Sequence, residues 1–123
     1  MASRRKGNNI QQPDSGSVLF YRIVRGNPPR VSDFLSNTAK GRRPWNDHPE
    51  TLRLWSGVSV YDDEAVARAR ARGIPGIGHY MAAVRIEDGG PISYEKTTVD
   101  PHHYTLWGDA RELQARVLGV TPV

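Results

Sequence analysis

An arginine sits in the middle of an apolar and aromatic run, Val18-Leu19-Phe20-Tyr21-Arg22-Ile23-Val24-Arg25, which Gly26-Asn27-Pro28-Pro29 closes. The run reads as a strand. Its alternation places Leu19, Tyr21 and Ile23 on one face and Phe20, Arg22 and Val24 on the other. A guanidinium among apolar neighbours needs a carboxylate or an open pocket, because an unpaired buried charge costs several kcal/mol. Any fold built on this strand must supply one or the other.

The segments that follow alternate helix and strand only in part. Pro29–Asn37 reads as a short helix with Val31, Phe34 and Leu35 on one face. Residues 38–46 read as a loop. Asp47-His48-Pro49-Glu50 opens a second helix with Asp47 at the cap and Pro49 in the first turn; Leu52, Leu54 and Trp55 give it bulk, and Gly57 stops it. Trp55 is expected in the core. Val58–Tyr61 is a second strand. Asp62 or Asp63 caps a third helix, Glu64–Arg72, ended by Gly73, with Glu64 and Arg68 as a favourable i, i+4 pair. His79–Ile86 and Ile92–Thr97 flank Asp88-Gly89-Gly90, which predicts a hairpin. His103–Trp107 is a short extended piece. Asp109-Ala110-Arg111-Glu112 repeats the capping pattern for a last helix through Arg116, and Leu118–Val123 is a final strand. The expected fold is α+β, a mixed and largely antiparallel sheet with three to four short helices.

At 123 residues the chain is long enough to bury roughly two thirds of its unfolded surface without staples. It has no cysteine, which excludes disulfides, thiolate metal sites and a thiol nucleophile. No apolar run approaches the roughly 20 residues of a membrane span, and the start lacks the apolar stretch of a secretory signal. A cytoplasmic location with no membrane partner is expected.

Positive charge is concentrated in the first third. Residues 1–17 carry Arg4, Arg5 and Lys6 against Asp14 and are otherwise polar, so they read as a disordered basic arm before a domain spanning residues 18–123. Residues 22–43 carry six basic side chains against Asp33 alone, a net +5, while residues 44–123 sum to −3. Such a distribution attracts phosphates, whether of a nucleic acid or of a dinucleotide. For nucleic acid the contacts would run through Arg4, Arg5, Lys6, Arg42 and Arg43. Trp45, in the same charged loop, could stack a base.

Other chemistries lack their signatures. Gly73–Gly78 counts glycines but follows a helix and precedes a strand, the reverse of a dinucleotide fingerprint. His48, His79, His102 and His103 have no metal-ligand spacing, so no metal is expected, and no nucleophile elbow is present.

Three segments together resemble the ADP-ribosyltransferase-like superfamily, in its small bacterial members, over roughly residues 18–98. They are Phe20-Tyr21-Arg22-Ile23-Val24, then Gly57-Val58-Ser59-Val60-Tyr61 followed by an alanine-rich helix, then Tyr94-Glu95-Lys96 with His103 and Tyr104 as alternatives. The resemblance implies a split antiparallel sheet that clamps NAD, with Arg22 and Ser59 holding the dinucleotide. It assigns the catalytic part to Tyr61 and to a late polar residue, Glu95 or His103, that polarises the ribose. It implies a toxin or modifying enzyme acting on a macromolecular target. Two other classes remain open: a basic nucleic-acid-binding domain, and a non-catalytic interaction module in which Arg22 pairs with an internal acid such as Glu95.

Overall fold

The computed structural model describes residues 16–123. Its strands are β1 (Ser17–Val24), β2 (Val58–Tyr61), β3 (Tyr80–Glu87), β4 (Ser93–Lys96), β5 (His103–Trp107) and β6 (Val117–Pro122). Its helices are α1 (Pro49–Trp55), α2 (Glu64–Gly73) and α3 (Ala110–Ala115). All six strands join one antiparallel sheet in the order β4-β5-β2-β1-β3-β6. The fold is α+β, as expected from the sequence. No helix among the described residues is long and apolar enough to cross a membrane.

Alternation along β1 is that read from the sequence, and it builds two cores. Phe20 and Val24 join Val58, Val60, Val84, Ile86, Leu106 and Leu113 in the larger cluster. Ile23 joins Tyr61, Ala67, Ala71 and Met81 in the smaller one, where the alanines of α2 let the helix approach the sheet closely. Asp63 caps α2 by accepting from the Val66 amide at 3.0 Å, and Asp109 caps α3 by accepting from Arg111 at 2.8 Å.

The sheet is joined unevenly at its centre. β1 registers with β3 at eight positions, from Ser17↔Glu87 to Val24↔Tyr80, but with β2 only at Tyr21↔Tyr61. Beyond that pair, Arg22–Val24 and Val58–Val60 part. The sheet is thus continuous and nearly split.

Four expectations are corrected. Asp88-Gly89-Gly90 does turn, with Gly89 at φ 77°, but β3 and β4 do not pair. Both sides of β3 are taken, by β1 and β6, so β4 crosses to the far edge and pairs with β5. Pro29–Asn37 forms only a single 3-10 turn, Val31–Phe34. There the Asp33 carboxylate accepts from the Arg25 and Arg30 amides at 2.8 and 2.9 Å, and such local bonds compete with a regular helix. The cap of α1 is His48 rather than Asp47, because Asn46 Oδ1 accepts from the His48 amide and shapes the entry. Ser17, assigned to the arm, is the first residue of β1. The rest of the arm lies outside the described residues.

Candidate functional site

Where β1 and β2 part, the Arg22 guanidinium fills the gap. Its Nε donates to the Asp33 carbonyl at 3.1 Å and its Nη1 to the Ser59 carbonyl at 2.8 Å. No carboxylate lies within ion-pair distance of it among the described residues. A guanidinium has five N–H donors, so three remain for a ligand. Burial pushes its pKa down to about 10, with Asp33 pulling the other way, and it stays protonated at neutral pH.

Three clefts of about 430 to 460 Å³ meet at Arg22. All three also reach Lys40, and two of them reach Arg25. Lys40 titrates below its ordinary value because of burial and then the like charges of Arg42, Arg22 and Arg25. Five cations, Arg22, Arg25, Arg30, Lys40 and Arg42, therefore border these clefts, whose one acid among the described residues, Asp33, already serves two backbone amides. Such a groove attracts an anion.

The cleft of about 440 Å³ has a different character at its inner end. Ser59 sits opposite Thr105, and Tyr61 opposite His103, so β2 and β5 present all four side chains to one face. His103 Nδ1 lies 3.4 Å from Thr97 Oγ1, which is 2.7 Å from Thr105 Oγ1. Burial keeps His103 below its ordinary pKa, hence neutral near pH 7. Tyr61 belongs to the smaller core, packs edge-on to His103 with centroids 5.5 Å apart, and lines the adjoining cleft beside Arg22 and Ser59. Burial raises its phenol pKa. The tryptophans form the outer wall. Trp55, expected in the core, lines this cleft instead, because its Nε1 donates to the Arg42 carbonyl and pins the loop across the opening.

The structure thus brings together Arg22, Ser59, Tyr61 and His103. It does not bring Glu95 with them. Arg53 clasps Glu95 at 3.0 and 3.2 Å while also holding Glu50 and lying over the Trp107 ring. Glu95 lines none of the three clefts, and it is not the partner of Arg22. Arg42 borders the groove; Arg43 is exposed on the same loop. Arg4, Arg5 and Lys6 lie outside the described residues. Sequence reading missed Lys40, Arg25, Thr97 and Thr105. The cation surplus of residues 22–43 pointed to the first two; the two threonines meet only through tertiary pairing. No family model, no curated protein and no solved structure matches this chain.

Proposed function

We propose that this chain is an ADP-ribosyltransferase-like enzyme that binds NAD across the β1–β2 gap. The observation that carries the reading is Arg22, a charged fork that among the described residues is held only by carbonyls, with three donors left over. A pyrophosphate matches that fork, and Arg25 and Arg30, which line the same cleft, supply the surrounding charge. The cation surplus fits a dianionic linkage better than it fits any internal acid.

Cleavage of the nicotinamide–ribose bond leaves positive charge growing on the ribose. Among the described residues no carboxylate lines the inner cleft, so that charge would face the Ser59, Thr97 and Thr105 hydroxyl oxygens and the neutral His103 ring. His103 is the one group there suited to take a proton from an incoming nucleophile near neutral pH. It takes the part that the sequence resemblance divided between Glu95 and itself.

Thermal melts with and without NAD test the reading, together with nicotinamide release followed by chromatography. NAD at about 100 times its dissociation constant adds roughly 2.7 kcal/mol and raises the melting temperature by several degrees. Arg22→Ala should abolish that shift, and His103→Ala should abolish release while keeping the shift. A wild-type melt unmoved by millimolar NAD would sink the proposal.

A further inference from the structure

We propose that the acceptor at this site is single-stranded nucleic acid, held by the 36–46 loop with a base stacked on Trp45 and phosphates on Lys40, Arg42 and Arg43. The transfer step rests on the reading above; the binding step does not. Two observations carry it. Trp45 is 83% exposed and yet lines the same cleft as Ser59 and His103. The loop around it carries three cations and, from Phe34 to Asn46, no acid. None of the three takes part in an ion pair among the described residues.

The loop is also held in shape. The Lys40, Gly41 and Arg42 amides donate to the Ser36, Thr38 and Asn37 carbonyls, each at 3.0 Å, and Gly41 turns the chain at φ 76°. Trp55 Nε1 fastens the Arg42 carbonyl from below. The backbone that carries Lys40 and Arg42 therefore has little ordering left to do on binding. An open aromatic face among cations suits a strand whose bases are unstacked. A duplex hides those faces, and an acidic peptide would meet the charges but offer Trp45 no flat partner.

In the transfer, an amino or hydroxyl group of the strand forms a bond to C1′ of the nicotinamide ribose. The C1′–N bond breaks with its electron pair leaving on nicotinamide, and the acceptor's proton passes to His103 or to water. NAD is the co-reactant; nicotinamide and one proton are released.

Fluorescence anisotropy with a labelled single-stranded DNA oligonucleotide, the full chain and no NAD tests the surface. The single strand should bind more tightly than its duplex. Trp45→Ala should weaken binding roughly 5- to 150-fold while Trp45→Phe retains most of it. Replacing Lys40, Arg42 and Arg43 by alanine together should flatten the log–log salt slope by about 2. Because all four side chains are exposed, unchanged melts will show that the variants fold. Absence of binding, equal affinity for duplex, a Trp45→Ala variant that binds like wild type, or equal competition by polyglutamate overturns the proposal. With labelled NAD, label on the oligonucleotide supports the acceptor assignment, and nicotinamide release that leaves a bound strand unlabelled overturns it. A chain that binds the strand as described but never releases nicotinamide refutes the enzyme reading and leaves the binding surface standing.

Discussion

Arg22 donates to two backbone carbonyls rather than to an acid, and that determines what its removal should cost. Arg22→Ala leaves two carbonyls short of a donor beside an open cleft and, among the described residues, strands no carboxylate. The loss should be about 1–3 kcal/mol by chemical denaturation, below the 3–5 typical of breaking a buried ion pair. A loss at or above that upper range would mean a carboxylate had depended on it. The adjacent histidines make opposite forecasts for pH. His102 is bonded to Asp62 at 2.8 Å and titrates above its ordinary value, so its contribution is full below about pH 6.5 and is lost as pH rises through the folded value. His103 titrates low because of burial; the unfolded chain takes up that proton first, so its contribution is full above about pH 6.5 and is lost as pH falls. Stability-versus-pH curves for His102→Gln and His103→Gln should therefore lose slope of opposite sign. Part of this site was legible from local pattern. A charged residue in an apolar strand marks a slot, whereas Ser59 and Tyr61 beside it were pointed to by the family resemblance rather than by local pattern. The absence of Glu95 was not legible, because Arg53, which captures it, lies 42 positions away and meets it only in the folded chain.

At the scale of elements, the caps were the most readable features, since a cap is decided by three or four adjacent residues. Asp109 is such a case. Asp109→Ala should cost about 1 kcal/mol in denaturant midpoint shifts, with α3 fraying first. If the midpoint does not move, α3 gains nothing from that carboxylate. The strand pairing was less readable. Asp88-Gly89-Gly90 carries good turn chemistry, and local chemistry alone makes β3 and β4 partners. The outcome is decided by competition for the edges of β3, which β1 and β6 win with ladders drawn from distant parts of the chain. The turn survives with a different job. Tyr94 Oη donates to Asp88 at 2.6 Å, which pushes the Tyr94 phenol up to about 12, and its ring packs against Phe20 from the opposite half of the sheet.

For the whole molecule, the larger apolar cluster compensates for the thin ladder between β1 and β2. Phe20 from β1 packs with Tyr94 and Tyr104, and with Val58 and Leu106, so side chains tie together what backbone bonds barely do. The two halves should therefore unfold as one. Tryptophan fluorescence, which reports on Trp45, Trp55 and Trp107 and on none of β1, β3 or β6, and far-ultraviolet dichroism, which reports on both halves, should give coincident transitions. Separated midpoints would show that the halves melt independently. The one-pair joint also makes the sheet mechanically unequal in its two directions. Within each half, ladders of four to eight pairs resist shear and bending alike. Across the crease the restraint is mostly apolar attraction, which opposes separation but has no preferred direction. Flexing about Tyr21 and Tyr61 is then opposed chiefly by the contacts of Phe20 and by the bond from Arg22 to the Ser59 carbonyl, and it would change spans most at the outer edges, between β4 and β6.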